Sequence, residues 1–109
     1  MAAMEQKIRK ISEHYSKKSQ WKKTIEEVEE LLDELEGAGN PFGYPEMVNL
    51  TGNTWSECAD VIIMIAQLAM QHGKEKEVLE QIEFKVNRQL QRIEEEQNDI
   101  SEQRSSGTD

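Results

Sequence analysis

The sequence predicts an all-α protein, and three observations carry that expectation. Apolar residues recur at spacings of three and four along most of the chain. No stretch shows the period-two alternation of a half-buried strand, and Gly and Pro gather in one segment, Gly37 to Asn53.

The elements follow in order. Met4, Ile8, Ile11 and Tyr15 mark a first amphipathic helix that ends near Lys17. Ser19 can cap a second helix, from Gln20 to about Glu36, with Gly37 as its stop. Its stripe is Trp21, Ile25, Val28, Leu31, Leu32 and Leu35. Gly37 to Asn53 holds four glycines and two prolines, too punctuated for more than a turn of helix from Pro45. The third helix spans Thr54 to about Gln71 and is closed by Gly73. Beyond its first turn it has no polar face, so it is expected to be buried on all sides. The fourth starts near Lys74 and carries Val78, Leu79, Ile82, Val86, Leu90 and Ile93 on one face, until the chain turns polar after about Glu95. A four-helix bundle formed by residues 1–103 as a single domain is expected, with 104–109 as a disordered polar tail. A chain of 109 residues builds only a modest core, so a homo-oligomer is expected.

Composition narrows the function. Thirteen Lys and Arg against 22 Asp and Glu give a net charge of −9, which argues against a nucleic-acid binder. Cys58 lies in the apolar helix and reads as a small buried hydrophobe. A reducing, cytoplasmic setting fits a chain with one cysteine. No stretch has the layout of a signal peptide, and the apolar run Val61–Met70 is shorter than the roughly 20 residues a membrane span needs.

Candidate chemistry starts from Glu57 and Asp60, one turn apart on the apolar helix. Thr54-x-x-Glu57 matches a capping box, which accounts for Glu57 but not for Asp60. An ion pair with Lys23 or Arg88 is a second structural explanation. The alternative is a metal site shared with acids of the second helix, where Glu27, Glu30 and Glu34 share an edge beside Leu31. Glu26 and Asp33 point away from the stripe, and the wheel leaves Glu29, on the other edge, open. All-carboxylate ligation suits Mg²⁺ or Mn²⁺ rather than zinc, and no Glu-x-x-His motif is present for a di-iron bundle. On the fourth helix Lys85, Arg88 and Arg92 form a basic edge suited to phosphate. Pairing within the helix explains only Arg92, through Glu95 and Glu96. Gln20 and Asn87 are amides able to read a base. Trp21, Phe42, Tyr44 and Trp55 can stack on one, although packing is the plainer role for each.

At these residues the chain resembles the MazG-like branch of the all-α nucleoside triphosphate pyrophosphohydrolases. The resemblance rests on Glu26-Glu27-Val28-Glu29-Glu30-Leu31 and Glu57-Cys58-Ala59-Asp60, and on Lys85-Val86-Asn87-Arg88-Gln89-Leu90-Gln91-Arg92-Ile93. It covers roughly Ile8 to Ile93. It implies Glu27, Glu30, Glu57 and Asp60 as ligands of Mg²⁺, with Mn²⁺ as a substitute. It also implies cleavage of a nucleoside triphosphate between the α and β phosphorus atoms, in a homodimer or homotetramer. Glu30 or Glu26 would orient or deprotonate the attacking water, and Lys85, Arg88 and Arg92 would bind phosphate. The Gly37–Asn53 connection is longer and richer in glycine than in the small relatives, and Ser56 stands where an acid is commoner. Phosphoribosyl-ATP pyrophosphohydrolysis and a non-catalytic helical interaction protein are the alternatives.

Overall fold

The structure, a computed structural model, describes residues 2–38 and 50–106. Four helices follow one another: α1 (Ala2–His14), α2 (Lys17–Ala38), α3 (Gly52–Gln71) and α4 (Glu75–Ser106). No strand occurs among the described residues, so the chain is all-α. Phe42, Tyr44 and the turn expected from Pro45 lie outside them.

The helix ends differ from expectation in instructive ways. α2 starts at Lys17, so Ser16 rather than Ser19 is its cap. The Ser16 Oγ accepts the Ser19 N–H at 3.0 Å, and the Gln20 N–H reaches the Ser16 carbonyl at 2.9 Å. Gly37 does not stop α2, which continues to Ala38. α3 starts two residues before Thr54 and is capped from Thr51, so the box is Thr51-x-x-Thr54. There the Thr54 hydroxyl accepts the Thr51 N–H at 3.2 Å, and the Thr54 N–H donates to the Thr51 carbonyl at 3.0 Å. Glu57 therefore has no capping duty.

Glu34 completes this junction. Its carboxylate accepts from Asn53 Nδ2 at 2.9 Å, from the Thr54 hydroxyl at 3.3 Å and from the Thr51 hydroxyl at 3.4 Å. A negative charge at the N-terminus of α3 also suits the helix dipole. Thr54 is almost wholly buried. Thr54→Ala should thus lower stability by about 1–2 kcal/mol in urea unfolding. A change within error would remove the junction from the list of what holds α2 to α3.

At its other end α3 closes as expected on Gly73, which takes φ +63. The Lys74 N–H returns to the Ala69 carbonyl at 2.9 Å and the Gly73 N–H to that of Met70 at 3.1 Å, the paired bonds of a Schellman motif.

Within the unit Met1–Glu75, α3 packs against both α1 and α2. Gln71 Nε2 donates to the carbonyls of Ser12 and Tyr15 at 2.9 Å each, satisfying orphan acceptors at the end of α1. Arg9 reaches Glu75 at 3.0 Å. The Glu75 carboxyl lies below the usual carboxylate range, first because its own backbone N–H bonds to it and then because Arg9 does. A folded value below the unfolded one contributes stability above about pH 4.5, lost as pH falls through the folded value. Arg9→Met is expected to move the acid-unfolding midpoint to higher pH. An unmoved midpoint would show that the pair contributes nothing.

The interior is unusual in composition. Val61 and Ala69 are the buried hydrophobic residues described, whereas Ser12, Gln20, Thr24, Glu27, Thr54 and Gln67 are buried polar ones. The expectation that α3 is buried on all sides does not hold within this chain. Trp55, Ile62, Ile63 and Ile65 are exposed, Ile62 by 67%. On α2, Trp21, Ile25, Val28, Leu32 and Leu35 are exposed as well. Two helices packed on α3 cover only part of its circumference, and its remaining apolar surface has no cover from described residues.

α4 belongs mostly to the second unit, Lys76–Asp109. It stays helical to Ser106, well past Glu95, so residues 104–106 continue the helix where a tail is expected. The chain's last three residues, 107–109, lie outside the described ones. Leu79, Ile82, Val86, Leu90 and Ile93 are all exposed along it. No helix among the described residues is long and apolar enough to cross a membrane.

Candidate metal centre

Two neighbouring helices supply the acids. Glu27 faces inward from α2 and is only 8% exposed, while Glu57 and Asp60 stand one turn apart on α3 and are half-buried. Their carboxylates converge, with one oxygen from each within 4.8 Å of the others. Of the four ligands expected, the structure therefore brings three together. Glu30 is exposed and its carboxylate stands outside that group, although it lies close enough to Glu27 to feel it.

One cation is at hand. Lys23 Nζ lies 3.2 Å from Glu27 Oε1 and 3.6 Å from Glu26 Oε2. The pairing raises the Lys23 pKa, chiefly through its bond to Glu27 and then through the charge of Glu26. The ion pair expected between Lys23 or Arg88 and the acids of α3 is not formed among the described residues: Lys23 pairs within α2, with Glu26 and with one oxygen of Glu27. Glu27 Oε2 and Glu57 Oε2 are buried without a hydrogen-bond partner among the described residues. Among the described residues neither Glu57 nor Asp60 meets a donor or a cation. The three carboxylates outnumber the one ammonium beside them, which is shared with Glu26, so the cluster keeps an excess of negative charge that a cation would offset.

The donor set suits such an ion. It is all oxygen and all carboxylate, the chemistry of Mg²⁺ or Mn²⁺ rather than of a thiophilic metal. Oxygens that share one Mg²⁺ stand up to about 4.2 Å apart, given metal–oxygen distances of about 2.1 Å. A set already within 4.8 Å needs only small side-chain rotations to close on an ion. The buried unpartnered oxygens are the stronger argument, because an orphaned buried acceptor is costly unless something outside the chain completes it.

Glu30 carries the clearest electrostatic mark of the cluster. Its carboxyl is held above the usual range, first by the negative charge of Glu27, then by desolvation and a hydrogen bond to Glu27, with Glu57 and Glu26 adding to it. Glu26 is exposed and tied to Lys23.

No protein-family model, curated protein or solved structure matches the chain.

The other expected site residues divide by element. Gln20 is buried, and its Nε2 is engaged by Thr24 Oγ1 at 3.2 Å and the Met64 carbonyl at 3.4 Å. Its nitrogen is thus tied into the α2–α3 contact. Trp21 and Trp55 are 57% and 60% exposed, so neither is a core residue of this chain. Lys85, Asn87, Arg88 and Arg92 are exposed on α4. The Arg88 guanidinium sits 5.9 Å from the centre of the Phe84 ring, a cation–π distance. Among the described residues Arg92 forms no ion pair with Glu95 or Glu96, and Glu95 accepts from Gln91 Nε2 at 3.2 Å instead. None of the three cations of this edge is neutralised by a described acid.

One buried polar residue was passed over by sequence reasoning. Gln67 is 2% exposed and lines a cavity beside Gln20 and Lys23. Its signal was present, since it is the one polar residue in Val61–Met70.

Proposed function

We propose that the chain is a Mg²⁺-dependent nucleoside triphosphate pyrophosphohydrolase of MazG-like type, cleaving between the α and β phosphorus atoms. The observation that carries this reading is the convergence of Glu27, Glu57 and Asp60 with two buried oxygens left unpartnered. These three residues would hold the ion, and Lys23 fixes the rotamer of Glu27 from its other oxygen. A bound Mg²⁺ supplies charge neutralisation at the phosphates and a more acidic water. Glu30, beside the cluster but outside it, is the group to orient that water and accept its proton, and Glu26 is the weaker candidate because Lys23 holds it. Lys85, Arg88 and Arg92 are the side chains this reading assigns to phosphate, as cations that no acid pairs with among the described residues.

The working unit is a homodimer or homotetramer in the cytoplasm. The exposed Ile62, Ile65, Val28 and Leu32 support that part, being surface a stable chain does not leave in water. The same surface favours a second reading, a helical interaction protein without catalysis. One experiment separates them. The purified chain is incubated in Mg²⁺ with canonical and modified nucleoside triphosphates and with phosphoribosyl-ATP, and pyrophosphate is measured. Release from a nucleoside triphosphate supports the proposal. Release from phosphoribosyl-ATP alone moves the substrate, and silence across the panel leaves the interaction protein.

A further inference from the structure

A cavity of about 260 Å³ lies among α1, α2 and α3, walled by Ile11, Tyr15 and Met64 and carrying Gln20, Lys23 and Gln67. Gln67 is the anomaly in it. The residue is 98% buried by its 2% exposure, yet among the described residues its carboxamide makes no hydrogen bond. Gln67 is one of the residues lining the cavity, which places its carboxamide beside whatever the cavity holds. A buried amide without a partner is unfavourable, and Met or Leu would fill the same volume without that cost. Gln20 adds to the polarity of the wall. Its Nε2 is occupied by Thr24 and Met64, and no described donor reaches its Oε1.

We propose that this cavity takes the nucleobase of the substrate, with the Gln67 carboxamide as the group that reads its edge. This rests on the pyrophosphohydrolase reading above and adds the subsite that would choose among triphosphates. A carboxamide offers a donor and an acceptor side by side, which matches the paired acceptor and donor on the edge of a planar nitrogen heterocycle. The volume is below the roughly 300–1,000 Å³ of sites that enclose whole drug-sized ligands, so it suits a ring rather than an entire nucleotide. The remainder of the ligand has a direction to follow. Lys23 lines this cavity and also touches Glu27 at 3.2 Å, so a base seated here has its phosphates beside the acidic cluster. The aliphatic side chains and the Tyr15 ring supply the apolar walls that a base face prefers.

The test needs neither metal nor phosphate. Deoxyuridine, thymidine, deoxycytidine, deoxyadenosine and deoxyguanosine are titrated separately into the full chain in chelator, and binding is followed by ligand-observed NMR at millimolar concentrations. At least one nucleoside is expected to bind, and Gln67→Met is expected to weaken it about tenfold, the effect of losing one or two hydrogen bonds. Gln67→Met should also melt no lower than the parent, because it removes an unpartnered buried amide, and this guards against a folding artefact. The proposal is overturned if no nucleoside binds, or if the variant binds as the parent does. The two readings fail separately. Pyrophosphate release without Gln67-dependent nucleoside binding sinks the base pocket and spares the hydrolase, whereas the reverse result sinks the hydrolase and spares the pocket.

Discussion

Asp60→Asn should raise the melting temperature of the metal-free protein and, in Mg²⁺, cut pyrophosphate release by about a hundredfold or more. The two effects have one cause. Without an ion, Asp60 adds a third negative charge to a cluster that holds one ammonium, and that ammonium sits on Glu27. Carboxylates about 4–5 Å apart repel by a few kcal/mol at an effective dielectric near 20. After side-chain relaxation a gain of about 1 kcal/mol, or about 4–8 °C in a chain of this size, is a reasonable expectation. With the proposed ion bound, the same oxygen would become a ligand, and even residues that only support metal ligands are typically worth about 10–100-fold. Differential scanning fluorimetry in chelator reads the first effect, and the pyrophosphate assay reads the second.

A Mg²⁺ titration then links them. Mass action should raise the parent's melting temperature, by up to about 2.7 kcal/mol of stability at a hundred times the dissociation constant, and should leave Asp60→Asn nearly unmoved. If Asp60→Asn melts lower than the parent in chelator, Asp60 belongs to a structural pairing. If it keeps parental activity, the ligand assignment is wrong.

The opposed signs matter because a simple ion-pair explanation predicts only one of them. Breaking a buried ion pair destabilises the protein with or without metal. Lys23, itself half exposed, pairs with the buried Glu27, and Glu27→Gln is a poor probe because it removes that pair as well as a ligand oxygen. Asp60 has no such partner among the described residues, which makes it the cleaner position.

How far the sequence foretold this site depends on the range over which each signal acts. Helical periodicity is set by local backbone geometry, so Glu57 and Asp60 on one face of α3, and Glu27 on the inner edge of α2, were legible at once. The wheel puts Glu30 on the same edge as Glu27, and the family resemblance makes it a fourth ligand, but an edge does not fix a distance. In the structure it stands just outside the three. Capping is also local, but it turns on the first residue of the helix. Thr51 and Thr54 are both good caps three residues apart, and starting α3 at Gly52 passes the box from Thr54 and Glu57 to Thr51 and Thr54. That small shift released Glu57 for the acid cluster. The role of Glu34 at the start of α3, in place of the metal site its edge suggests, went unread for the complementary reason. Its partners are on α3, 17 to 20 residues away, and nothing in its own helix marks them. Gln67 shows the limit from the other side: its place in an apolar run was plain, but only the cavity beside it gives the residue a reason.

The apolar circumference of α3 leads to the other large effect. Ile62→Glu should dissociate the protein into a largely unfolded chain, although Ile62 is 67% exposed in the single copy. Substitutions at exposed positions are ordinarily neutral to within about 0.5 kcal/mol. A severe outcome here would therefore mean that the face is covered in the working molecule. The composition of the interior favours such a cover. Val61 and Ala69 are the buried apolar residues described, and burying each further Val, Leu or Ile is worth roughly 1.5–3 kcal/mol. Ile25, Val28, Leu32, Ile62 and Ile65, on average about half exposed on α2 and α3, together represent several kcal/mol, a large share of the roughly 5–15 kcal/mol net stability of a typical domain. A second copy is the cover the proposal assigns, and light scattering should give a dimer or tetramer whose melting temperature rises with protein concentration. A monomer with a concentration-independent transition, and an Ile62→Glu variant of parental stability, would refute that cover. The test also reaches the metal centre, because Ile62 lies only two residues beyond Asp60 on α3. If the helix owes its order to a partner copy, the acids are held in register only in the oligomer, and the Mg²⁺-dependent rise in melting temperature should vanish in Ile62→Glu along with the assembly.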